Sequence, residues 1–205
     1  MPEGTIAVGG VLAGAMKSRE PEDPDAALMP RIAEGDASAY RLLVDRHTDR
    51  LLAFAERLVG DRATAEDVVQ DSYLSVWRTA GRWTPRAKVR TWLYRIARNA
   101  ALDRLRRRKP TVDPDAVTLI DPGALPDRMV ASGDIAQAVR SALDSLPERQ
   151  RAAIVMVHYE GLSGADASAA LEVSVEALES LLARGRRALR AALSGQRYDL
   201  IGGET

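Results

Sequence analysis

The chain has 205 residues, 29 acidic against 29 basic side chains, two histidines and no cysteine. That length allows one large domain or two small ones. The missing thiols exclude disulfides, thiolate metal sites and cysteine nucleophiles, while His47 and His158, far apart in sequence, argue against a clustered-imidazole metal centre and a Ser-His-Asp triad. Few aromatics, abundant Ala, Leu and Arg and almost no period-two alternation predict an all-α fold with aliphatic cores.

Apolar runs such as AAIVMV at 152–157 fall far short of the ~20 residues that span a bilayer, so no membrane insertion is expected. Residues 5–16 have some secretory h-region character, but Met1-Pro2-Glu3 before them supplies no positive n-region. The reading is a cytoplasmic protein with a disordered extension at 1–24, in which Met16 is an alternative start.

From Asp25 a helical pattern begins with Leu28, Ile32 and Ala33 and breaks at Gly35-Asp36. Tyr40, Leu43, Val44, His47, Leu51, Phe54, Ala55, Leu58 and Val59 then keep steps of three and four, until Gly60-Asp61 stops the helix. On that apolar face His47 reads as a satisfied core histidine rather than a ligand. Thr64 to Asp67 fits a capping signature. The helix after it is expected to turn Val68, Val69, Ser72, Tyr73, Val76 and Trp77 inward and to show Glu66, Asp67, Gln70 and Asp71 outward. Paired carboxylates suit acid–base or metal chemistry, but neither a histidine nor a third carboxylate patch accompanies them. A solvated acidic face and a docking surface for a basic or polar partner helix remain.

Residues 78–88, with Gly81 and Pro85, form a loop into a strongly basic segment. Between Arg86 and Lys109 ten cations face one acid, Asp103, while Trp92, Leu93, Ile96, Ala97 and Ala100 make an apolar stripe. In a neutral chain such segregation points to a polyanion-facing helix, and Trp83, Trp92 and Tyr94 add rings that stack on unpaired bases. Next, residues 110–133 hold prolines and aspartates without periodicity and read as an acidic linker, suited to lying over basic surface or threading a cationic channel. A second helical block covers 134–194. Ile135, Ala138, Val139, Ala142 and Leu143 give one helix to Leu146-Pro147, and Glu148 to Tyr159 another. Ser163 and Asp166 form a capping box on a short helix, and a turn of about four residues leads to a longer one capped by Ser174, with Val175, Leu178, Leu181, Leu182, Gly185 and Leu189 inward. Short helix, tight turn and long helix make a helix-turn-helix whose Arg184, Arg186, Arg187 and Arg190 can hold phosphates. Residues 195–205 are a tail.

Three stretches, AEDVVQDSYLSVW (65–77), TWLYRIARNAALDRLRRR (91–108) and ALDSLPERQRAAIVMVHYEGLS (142–163), resemble the extracytoplasmic-function (ECF) sigma factors, bacterial transcription initiation factors. The resemblance implies two helical domains, region two at 25–109 and region four at 134–194. It implies a core RNA polymerase-binding face at Glu66, Asp67, Gln70 and Asp71, and a promoter minus-ten surface at Trp83, Trp92, Arg95, Arg98, Asn99, Asp103 and Arg104. Trp92 is read either as core or as base-stacking. In the second domain a minus-thirty-five reader is implied at Glu179, Ser180, Arg184 and Arg187. It also implies promoter DNA and an anti-sigma factor as partners, with no cofactor, no metal and no enzymatic chemistry.

The recognition helix departs from the family pattern at Glu176-Ala177-Leu178, Glu179 and Leu181, where a Gly-Thr-Val-like opening and basic residues are usual; Glu179 is suited to accept from a cytosine amine rather than to hold phosphate. The first helix of the motif has Ala165-Asp166-Ala167 in place of a Tyr/Glu-Ile-Ala pattern. The rival readings are a helix-turn-helix regulator working without polymerase, a carboxylate metalloenzyme using Glu66, Asp67 and Asp71, and a sigma-like scaffold that no longer reads promoters.

Overall fold

The computed structural model describes residues 23–108 and 131–201, and all of its regular structure is helical. The expected extension apart from Asp23 and Pro24, most of the linker and the last four residues of the tail lie outside the described residues. The first module holds α1 (Leu28–Ala33), α2 (Ala37–Val59), α3 (Arg62–Thr79) and α4 (Val89–Arg108), with a single 3-10 turn at Ala80–Arg82 after α3. The second holds α5 (Ala131–Asp144), α6 (Glu148–Ile154) running into a π-helical turn at Val155–Tyr159, α7 (Gly164–Leu171) and α8 (Val175–Ile201).

Local chemistry sets the helix boundaries. Asp36 caps α2, accepting from the amides of Ser38 and Ala39. The Ser38 hydroxyl, the Ala39 amide and the Arg31 guanidinium hold its carboxyl well below the usual carboxylate range. Gly60 ends α2 at φ 84, a left-handed conformation that glycine adopts without steric cost. The cap of α3 is Asp61, whose carboxylate accepts from Thr64 N at 2.8 Å. The expected cap at Thr64 is therefore corrected: after Gly60 the chain turns within one residue, and Thr64 lies buried in the first turn.

In the first module Leu43, Leu51 and Phe54 of α2 meet Val68 and Val76 of α3, Leu93 and Ala97 of α4, and Met29 and Ile32 of α1, all essentially out of solvent. Phe54 and Tyr94 meet edge to face at 4.8 Å. His47 lies with this core: its Nε2 is 2.7 Å from Asp25 Oδ2, and Arg46 holds the other oxygen of the same buried carboxylate. Trp77 departs from the expected inward set. It is 40% exposed, one turn along α3 from the exposed Leu74, with its ring 5.0 Å from that of Tyr40. The helical period gives the direction of a stripe but not its width, and Trp77 falls on the rim.

In the second module Ile154, Val155 and Met156 pack against Leu171, Leu178 and Leu182. A Cβ on Gly185 would stand 2.9 Å from Ile154 Cγ1, so glycine is what lets α8 approach α6 here. Ile135 and Val175, expected on apolar stripes, are exposed, and α8 continues through residues read as tail. The two modules share one continuous core: α4 packs against α7, and Arg151 Nη1 donates to Leu58 O at 2.8 Å.

Candidate nucleic-acid interface

The loop that follows α3, the start of α4 and Ala169 of α7 enclose a groove of about 190 Å³ lined also by Arg82, Trp83, Arg86, Thr91, Trp92 and Arg95. The first amide of α4, Val89 N, donates to the Asp23 carboxylate, a negative charge well placed at a helix N-terminus. Asp23 therefore belongs to the folded module rather than to the expected extension. Trp83 keeps its indole N–H buried with no hydrogen-bond partner among the described residues. An unpaired buried donor costs free energy that an incoming acceptor recovers.

The residues expected on the minus-ten surface divide. Trp83, Trp92 and Arg95 line the groove. Trp92 is 8% exposed, so its main contribution is to the core, with an edge toward the groove. Asn99 and Asp103 are exposed; Asn99 Oδ1 accepts from Arg98, and Asp103 stands 3.8 Å from Arg106. Arg98 is a correction. It is 7% exposed, beneath the second module near Leu58 and Ala152, with its Nε unpartnered among the described residues. Burial and the nearby Arg149 charge push its pKa down. A basic stretch invites the assumption that every arginine faces water, yet the turn of α4 that carries Arg98 is the one covered by α6.

Arg104 is also not free. Its guanidinium spans α3, with Nη1 2.8 Å from Asp67 and Nη2 2.7 Å from Asp71. The expected acidic face is otherwise exposed: Gln70 faces solvent, and Glu66 pairs with Arg62 at 2.8 Å one turn earlier.

Carboxylates of the second module cover the start of α4. Thr91 Oγ1 donates to Asp166 at 3.0 Å, and Lys88 Nζ lies 3.6 Å from the same carboxylate. Burial pushes Asp166 up, but hydrogen bonds from Ser163 and Thr91 and the charges of Lys88 and Arg90 outweigh it and leave the carboxyl below its ordinary value. Tyr94 donates to Glu160 at 2.6 Å, and burial together with that carboxylate raises the phenol well above its usual range. Arg95 stands 3.4 Å from Glu172. Glu172 ends α7 at φ 56, ψ 45, a left-handed position where glycine or asparagine is the easier choice. Sequence reasoning missed this set. Asp166 as a departure from the family pattern and a glutamate at a helix C-cap were the signals available.

On α8, Glu179, Ser180, Arg184 and Arg187 are all exposed, and Ser180, Arg184 and Arg187 fall at i, i+4 and i+7 on one face. The Ser174 hydroxyl accepts from Ala177 N at 3.2 Å, as the helix start requires. Among the described residues no three His, Asp or Glu side chains converge as a metal site, and no helix is long and apolar enough to cross a membrane.

The chain matches the family described as sigma-70 region 2 over residues 43–111 and that described as sigma-70, region 4 over residues 136–189. It is 40% identical over 174 residues to the ECF RNA polymerase sigma factor SigM of Mycobacterium tuberculosis, covering 84% of this chain and 86% of that protein. Among solved structures it resembles CnrH in complex with the cytosolic domain of CnrY, with TM-score 0.65, 28% identity and coverage of 83% and 97% of the two chains. It also resembles the sigma factor RpoE bound to the anti-sigma factor NepR from Bartonella quintana, with TM-score 0.61, 27% identity and coverage of 76% and 96%.

Proposed function

This chain belongs to the extracytoplasmic-function sigma factors, and we propose that its two helical modules divide promoter recognition between the groove before α4 and the exposed face of α8. As an alternative sigma factor it binds core RNA polymerase and directs promoter-specific transcription initiation, within a family of initiation factors and not of enzymes.

The observation that carries the division is the groove. Strand opening needs no side-chain chemistry; it needs a pocket that rewards an extruded base, because unstacking costs a few kcal/mol. Trp83 and Trp92 supply aromatic surface, Arg82, Arg86 and Arg95 supply charge for the unpaired strand, and the Trp83 N–H supplies a donor awaiting an acceptor. Asn99 adds a donor and an acceptor nearby for a base edge. Glu66, Asp67, Gln70 and Asp71 on α3 are the face offered to polymerase. Glu179, Ser180, Arg184 and Arg187 are offered to the upstream element in the major groove, Glu179 as a base reader and the arginines on phosphate.

In this conformation carboxylates of the second module sit on groups that the reading assigns to the promoter strand. Asp166 and Glu172 occupy Lys88, Thr91 and Arg95, so α7 must leave α4 before a strand can enter. An anti-sigma factor that favours this arrangement would hold the chain inactive in the cytoplasm; the RpoE neighbour is in complex with an anti-sigma factor, NepR. Run-off transcription with core enzyme on a promoter library tests the whole reading: transcripts should start at defined sites only when the chain is added. Polymerase association without defined starts would leave it a scaffold, and no association would remove it from initiation.

A further inference from the structure

Arg104 bonds to two carboxylates that lie one helical turn apart on α3, and its side chain and theirs remain between 32% and 52% exposed. An incoming cation therefore reaches Asp67 and Asp71 without unfolding anything. Each carboxylate keeps a second oxygen, yet a guanidinium arriving there would stand within a few ångströms of Arg104, where like charges repel. The same two aspartates are offered to polymerase, and Arg104 is among the cations expected on the promoter strand, so neither duty is free in this conformation.

We propose that Arg104 is an internal stand-in for a cation of the polymerase, displaced from Asp67 and Asp71 when polymerase docks and then free to take a phosphate of the unpaired promoter strand. Core binding and strand binding are thereby coupled through one side chain. The proposal rests on the docking role of α3 given above. Partly exposed ion pairs are weak, which suits a contact made to be exchanged.

The test is the sign of one substitution. If Arg104 competes with polymerase, Arg104→Gln in the full chain should bind core enzyme about two- to fivefold more tightly, read by fluorescence anisotropy at fixed salt. If it merely holds the two aspartates in place for polymerase, the same change should weaken binding. Arg104→Lys, which keeps charge but loses the fork, should fall between, and thermal unfolding of both variants checks that the fold persists. In the core-bound complex, Arg104→Gln should also flatten the salt dependence of binding to a minus-ten single strand by about 0.7 in log–log slope, the loss of one phosphate contact. Unchanged or weaker core binding overturns the stand-in, and an unchanged slope overturns the transfer to DNA. Should Asp67→Asn with Asp71→Asn leave core affinity intact, the docking role itself is wrong and the coupling falls with it.

Discussion

Around α4 several cations are held by carboxylates or buried, whereas Arg184 and Arg187 of α8 stand open. Lys88 faces Asp166, Arg95 faces Glu172, Arg104 holds Asp67 and Asp71, and Arg98 is buried. Arg184 and Arg187 are exposed and make no ion pair among the described residues. Both helices are arginine-rich in sequence, so composition does not distinguish them. On the proposed roles, the difference means that duplex contact through α8 would need no rearrangement, while strand contact through α4 would wait on one.

The largest expected effect tests the α3 end of this contrast. Asp67→Lys with Asp71→Lys removes the partners of Arg104 and repels any docking cation. Core affinity should fall tenfold to a hundredfold in a pull-down titration, with the far-ultraviolet circular dichroism of the fold unchanged. Next is the groove: Trp83→Ala should weaken minus-ten single-strand binding by about five- to a hundredfold, since base–aromatic stacking is worth about 1–3 kcal/mol. Duplex binding through α8 should stay as it was; equal loss at both sites would erase the distinction.

Freeing α4 should be milder. Asp166→Asn with Glu172→Gln leaves Lys88 and Arg95 without carboxylates, and single-strand affinity of the free chain should rise about two- to tenfold. No change would mean that closure owes little to these pairs. On α8, Arg184→Ala with Arg187→Ala should reduce the log–log salt slope for duplex by up to about 0.9 per lost contact and leave the single-strand slope alone. The smallest effect is acid-dependent. Asp166 has a lowered pKa in the closed arrangement, so its contribution to closure is complete above the ordinary carboxylate value of about 4 and fades as pH falls through the lower, folded value. Hydrogen exchange at α4 amides should accordingly loosen only below about pH 4; loosening near neutrality would assign closure to other groups.

Much of this was legible from residue order. The long run from Tyr40 to Val59 repeats often enough to define α2, and the spacing around Ser163 and Ser174 sets out the helix-turn-helix. Caps were harder: Thr64 and Asp61 both satisfy a local rule, and only the tightness of the turn after Gly60 selects the aspartate. Aromatic and basic interleaving led to Trp83 and Arg95 of the groove. Tyr94, expected from the same run to stack on a base, is a correction: it is 2% exposed and packs edge to face on Phe54, because the apolar stripe of α4 turns it into the core. The placements of Arg98 and Arg104 did not follow, because a one-dimensional charge run cannot say which turn of a helix a distant segment will cover. Asp166, Glu160 and Glu172 were further out of reach, lying 66 to 77 positions from their partners on α4.

Glu172 sets a stiffness against an affinity. An L-residue with a Cβ in that left-handed bend costs roughly 1 kcal/mol that glycine would not. Replacing it by glycine should thus raise the melting temperature of the isolated fold while loosening its grip on Arg95. One mutation would make the protein sturdier and less well muzzled, and selection for thermal robustness alone would drift toward unsolicited transcription.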